Sequence, residues 1–228
     1  ILENVPFLSV FNGGERLAVV LNHLRTQGYW IAKANCHILN SKGIVGTPQN
    51  RERLYIIACH SKYFKKNPFG EINFVKSDEK KLWDLIDRSK KQADPKLYLA
   101  EDSKYHWMIN ESIEKFGDDL LHQLRRTEVR VCPPGTCPTL TANMGGGGHN
   151  VPFLKDVHGI RRLSNSECML LQGYAEGEVE FPANVGKASR LSMIGNSIHV
   201  DVVEQVFRNV ASVLMEMVNE NRLEFSTQ

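Results

Sequence analysis

No stretch of this 228-residue chain is apolar for long enough to span a bilayer, and no secretory signal is expected. Strong charge of either sign is also missing. Lys and Arg number 28 and Asp and Glu 26, for a formal net charge of +2. That balance does not by itself point to nucleic acid, although it leaves room for a local basic face. Cysteine is sparse. Cys36, Cys59, Cys132, Cys137 and Cys168 are odd in number and scattered, which argues against a disulfide framework and for a reducing, intracellular compartment. Cys132 and Cys137, with His149 downstream, match no standard zinc spacing, so no metal site is expected.

What is present is ordinary globular composition, 42% hydrophobic and 24% charged, with length for one large domain or two small ones. The chain opens on Ile1, and Ile1-Leu2-Glu3-Asn4-Val5 reads as the tail of a buried strand, so a start in mid-domain is expected. Residues 16–27 carry Leu17, Val19, Val20, Leu21 and Leu24 at helical spacing, and Gly28 follows as a terminator. Residues 29–36 read as a strand, and 54–58 as another after a loop through Ser41-Lys42-Gly43. A strand–helix–strand–strand order suggests half of an α/β sheet. Residues 61–158 are charged and irregular, which predicts a separate small domain with few regular elements. A capping box of Ser164 and Glu167 starts a helix that stops at Gly173. Another helix is expected to open near Asn196-Ser197 and to carry Ile198, Val202, Val203, Val206, Phe207, Val210 and Val213.

The most informative stretch is Gly46-Thr47-Pro48-Gln49-Asn50-Arg51-Glu52-Arg53, just before the 54–58 run. Residues two apart share a strand face, so Gln49, Arg51 and Arg53 are expected to project together. Two permanent cations and an amide on one face suit an anion or a flat polar ring. By itself the stretch is equally an edge strand with solvated arginines.

Three other motifs decide between these. Glu3-Asn4-Val5 precedes Gln49-x-Arg51-x-Arg53. Arg161-Arg162-Leu163-Ser164-x-x-Glu167-Cys168-x-x-Leu171-Gln172-Gly173-Tyr174 and Gly195-Asn196-Ser197-Ile198-x-Val200 follow it. In this order, over essentially the whole chain, they resemble the C-terminal portion of DNA (cytosine-5) methyltransferases. Cys137-Pro138-Thr139-Leu140-Thr141 is similar to the Thr-Leu element that closes the family's target-recognition region.

The resemblance implies an α/β fold: the second half of a Rossmann-like methyltransferase sheet, a small irregular target-recognition domain, and a C-terminal helix returning to the catalytic domain. The implied boundaries are 1–60, 61–158 and 159–228. The implied reaction is transfer of a methyl group from S-adenosylmethionine to C5 of a flipped-out cytosine in duplex DNA. A cysteine thiolate adds to C6, and charge develops at N3 and O2. Glu3 is then the carboxyl at N3 and Arg53 the donor at O2, with Arg51 holding phosphate or Glu3. Asn196 and Ser197 are expected beside the cofactor, and equally as a plain helix cap. Gln49, Arg130, Thr139, Gly146, Gly147, Arg125 and Arg126 are expected at the DNA. Arg130 is placed as a guanine reader, Arg125 and Arg126 as phosphate contacts, and the glycine run as either a close approach to bases or a flexible loop. Arg161 and Arg162 are given a structural role.

Two family motifs are missing from these residues. There is no Phe-x-Gly-x-Gly loop and no Pro-Cys pair. The chain alone is therefore expected to be inactive, with a complementary N-terminal half as its partner. A non-catalytic DNA-binding module is the alternative; it has no need of Glu3, Arg53 or Asn196.

Overall fold

Leu54, Tyr55 and Ile56 are each at most 2% exposed, and the strand that carries them is the centre of the first sheet. In this computed structural model, residues 1–70, 72–144 and 150–219 are described. Five short strands belong to the first region: β1 (Leu2–Asn4), β2 (Tyr29–Trp30), β3 (Cys36–Asn40), β4 (Glu52–Ile56) and β5 (Cys59–His60). β4 pairs antiparallel with both β1 and β3, and β2 pairs with β5. The chain divides into two compact units. The first holds residues 1–44, 52–76 and 201 onward; the second holds 45–51 and 77–200.

In the first unit the expected helix runs over Glu15–Thr26 and buries Leu17 and Leu21, four apart, against Ile31, Leu54 and Ile56. Gly28 stands just beyond it at φ +83°, which a side chain would resist. The strand expected over 29–36 is broken into β2 and β3 by a 3₁₀ turn, Lys33–Asn35. Asn35 is the cause. It is fully buried, its Oδ1 accepts from the Ala32 N–H, and its Nδ2 donates to the Phe69 carbonyl at 2.6 Å. These bonds bend the backbone where a plain strand would continue.

The second unit is more regular than its sequence suggests. β6 (His122–Arg125), β7 (Glu128–Val131), β8 (Val151–Asp156) and β9 (Gly159–Arg162) form one antiparallel sheet in the order β7-β6-β8-β9. The Lys104–Phe116 helix is capped by Ser103, whose hydroxyl accepts from the Tyr105 N–H. Its Ile109 and Ile113 join Leu121, Leu124, Phe153 and Leu154 in a shared core. The strands escape a reading by apolar runs because each is only four to six residues long and carries polar residues, as in His122-Gln123-Leu124-Arg125.

The capping box is as expected: Ser164 Oγ accepts from the Glu167 N–H, and Glu167 Oε2 accepts from the Ser164 N–H at 2.7 Å. It opens the Asn165–Leu171 helix. Glu167 also takes a bidentate pair from Arg161 at 2.8 Å per bond, and Arg161 Nε donates to Asp156 at 2.6 Å. Arg161 is fully buried, so the expected structural role holds for it. The last helical region differs from expectation. Asn196 ends a helix, Lys187–Asn196, rather than starting one. Ser197 turns extended and donates its hydroxyl to the Ile194 carbonyl at 2.7 Å. The long helix begins at Val200 and runs to Asn219. Within the first unit its Gln205 Nε2 donates to the Val75 carbonyl. No helix of the described residues is long and apolar enough to cross a membrane.

Candidate active site and nucleic-acid interface

In the first unit the register of the sheet brings Glu3 and Arg53 together. Glu3 pairs with Tyr55 across β1 and β4, and Arg53 lies two residues from Tyr55 on the same face. Such diagonal neighbours are within reach of long side chains. Arg53 Nε meets Glu3 Oε1 at 3.0 Å, with the side chains 15% and 29% exposed. Arg53 Nη1 donates to the Glu52 carbonyl at 2.7 Å, which holds the guanidinium in place. A carboxyl and a guanidinium are thus locked side by side and still open to solvent.

Gln49 and Arg51 do not share this arrangement. β4 begins only at Glu52, so neither is a strand residue, and both bury their side chains in the second unit. Gln49 is fully buried. Its Nε2 donates to the Leu171 carbonyl at 2.8 Å, and its Oε1 accepts from the Leu140 N–H at 3.1 Å. Arg51, 2% exposed, donates to the carbonyls of Leu140, Gly195 and Ser197. The expectations of Gln49 as a DNA contact and of Arg51 as a ligand of phosphate or Glu3 are corrected accordingly. Both clasp three chain segments into one interior, because buried carbonyls at helix ends require donors. Gly195 allows that closure. A Cβ there would run into the backbone of Thr141 and Ala142.

The remaining expected residues are also in the second unit. Asn196 is exposed, while the Ser197 hydroxyl is committed to Ile194. Thr139, half-buried, donates its hydroxyl to the Asn50 carbonyl at 2.6 Å. Arg125, Arg126 and Arg130 are exposed on the β6–β7 hairpin, whose tip is Arg126 at φ +41°. A cleft of about 210 Å³ is lined by Gln123, Arg125, Arg130, Thr139, Thr141 and Asn150. A second, of about 410 Å³, lies along Arg125, Arg126, Glu128, Asn143 and Asn150. Gly146 and Gly147 lie outside the described residues. Asn150 carries no signal in the sequence, whereas Gln123 stands in the basic cluster Gln123-Leu124-Arg125-Arg126.

The thiols are in the opposite condition from a nucleophile. Burial pushes Cys59 and Cys132 up to about 11, raises Cys36, and raises Cys137 and Cys168 further. Only a thiolate attacks readily, so none is primed at neutral pH. Among the described residues no cluster of three His, Cys, Asp or Glu side chains is placed to hold a metal ion.

A family model described as C-5 cytosine-specific DNA methylase matches residues 1–212. This chain belongs to that family. The Type II methyltransferase M.Bsp6I of Bacillus sp. (strain RFL6) is 35% identical over 92% of this chain and 64% of its own length. M.NgoBI of Neisseria gonorrhoeae is 27% identical over 94% of the chain and 61% of its own length. The chain thus spans less than two thirds of these relatives. Among solved structures, the Entamoeba histolytica methyltransferase EhMeth superposes with a TM-score of 0.63 at 15% identity, covering 93% of this chain and 62% of its own. The S. pombe Dnmt2 methyltransferase gives 0.56 at 20% identity, over 95% of this chain and 66% of its own. These likenesses support the α/β methyltransferase fold.

Proposed function

We propose that this chain carries the cytosine-polarising side of a DNA (cytosine-5) methyltransferase, together with its DNA reader. A complementary N-terminal half supplies the attacking cysteine and most of the S-adenosylmethionine pocket. The observation that carries the reading is the Glu3–Arg53 pair, 3.0 Å apart and accessible from solvent. Glu3 protonates or hydrogen-bonds N3 of the flipped cytosine, and Arg53 donates to O2, where negative charge develops on thiolate addition. A pure DNA-binding module has no use for this pair. The functional division is 1–60 for catalysis, 61–158 for recognition and 159–228 for anchoring.

Toward the cofactor the chain offers Asn196, which is exposed. Ser197 acts first as a helix cap and contributes backbone. When bound, S-adenosylmethionine supplies the methyl group. The raised thiols support placing the nucleophile outside these residues.

Reconstitution tests the reading. The purified chain alone should give no methyl transfer to cytosine in duplex DNA. Adding the complementary half, encoded immediately upstream or in a separate gene, should restore it. In that reconstituted enzyme Glu3→Gln should lower the rate by about 10²–10⁴-fold, the range for a positioned acid. Activity in the chain alone, or an unaffected Glu3→Gln rate, would sink the assignment.

A further inference from the structure

Gln123 is only 3% exposed although it sits on the wall of the cleft. Its Nε2 donates to the Asn150 carbonyl at 3.3 Å, and its Oε1 accepts from Arg125 Nε at 3.3 Å. Asn150 is itself pinned. At φ +59° its N–H donates to the Leu124 carbonyl at 2.8 Å and its Nδ2 to Asn143 at 3.4 Å. The carboxamide of Gln123 is therefore held at its nitrogen by the Asn150 backbone and turns its oxygen to Arg125. Arg125, two residues along β6, projects on the same face.

A hydrogen bond at Nε restrains the plane of a guanidinium and leaves the end formed by its two terminal amino groups open. In Arg125 those groups have no hydrogen-bond partner among the described residues, and they border both clefts. Arg126 and Arg130 have no comparable side-chain tether among the described residues. An untethered arginine suits a phosphate, which accepts from many directions. A guanidinium of fixed plane suits two acceptors on one rigid edge, such as O6 and N7 of guanine.

We propose that Arg125 reads a guanine in the target duplex, that Gln123 is the positioning residue that orients it, and that Arg130 and Arg126 contact backbone phosphate. This rests on the DNA-recognition reading above and reverses the roles that the family resemblance implies for Arg125 and Arg130.

The test is selection by the chain reconstituted with its complementary half from a pool of randomised DNA duplexes, followed by affinity measurements on the selected duplex at several salt concentrations. The wild type should enrich a sequence containing guanine at one or more positions. Arg125→Lys keeps the charge and loses the fork. It should relax one guanine position by about 5- to 150-fold with the salt dependence unchanged. Arg130→Ala should keep the base preference and lower the slope of log affinity against log salt by about one. Gln123→Leu should relax the same position as Arg125→Lys and add little in the double variant, which a merely structural role would not produce. An Arg125→Lys chain that still selects the guanine, or an Arg130→Ala chain that loses it, overturns the proposal. A wild type that enriches no sequence fails earlier, by removing DNA recognition itself.

Discussion

The two units of this chain solve burial differently. The second encloses a core that runs from Leu82 to Ile194 and threads polar clasps through it: Arg161 with Asp156 and Glu167, and Gln49 and Arg51 on backbone carbonyls. The first has a small core around Leu17, Leu21 and Leu54, and it leaves Leu2, Phe7, Val10 and Ile38 about half exposed or more. Apolar surface of that kind marks a face suited to further protein. Polar groups that are fully paired inside a core specify one arrangement, because each misplaced partner leaves a buried group unsatisfied. The proposed DNA reader thus lies in the unit with the larger, polar-clasped core, and the proposed cytosine-polarising pair in the unit with the smaller one.

The comparison breaks first at Arg161. Replacing it with Leu leaves Asp156 and Glu167 buried without their cation and should destabilise the second unit by about 3–5 kcal/mol. Denaturant unfolding should show the midpoint falling. Arg51→Lys comes next. One ammonium cannot serve the three carbonyls that the guanidinium spans, so a loss of about 3 kcal/mol is expected in the same assay. Stability equal to wild type would show that those carbonyls find other donors. Gly195→Ala should cost about 1–3 kcal/mol, since the new methyl meets the Thr141–Ala142 backbone rather than a movable side chain.

The smallest effect concerns pH. His122 is fully buried, its Nε2 lies 3.0 Å from the Gly117 carbonyl and its Nδ1 2.8 Å from Ser112 Oγ. A carbonyl only accepts, so Nε2 carries the proton and Nδ1 accepts from the hydroxyl. Burial lowers the His122 pKa from its ordinary 6.5. As pH falls below that value, the unfolded chain binds a proton before the native one does. Stability should be level above 6.5 and decline below it. His122→Gln should reduce that decline in unfolding experiments at pH 7.5 and 5.5; an unchanged pH dependence would assign it to other groups.

Much of this was legible in the residues. The Leu17–Leu21 spacing, the Ser164–Glu167 box and the role of Arg161 all rest on interactions within a few positions of sequence, and all hold in the structure. The motifs name the family for the same reason. Reading Gln49, Arg51 and Arg53 as one face failed because that inference assumes an uninterrupted strand. The chain enters β4 only at Glu52, and the two earlier side chains are claimed by carbonyls some 90 to 145 positions away. The break at Asn35 and the helix end at Asn196 have the same origin, in bonds whose partners are set by the fold.

Motif order was enough to determine the fold class and the family, and to point to Glu3 and Arg53 as a pair. Only the tertiary structure decided which arginines are free to meet a ligand. Arg51, Arg125, Arg130 and Arg161 are the same residue type, and what each can do depends on its desolvation and on the acceptors that surround it. Those are properties of the folded interior that no local window of sequence contains.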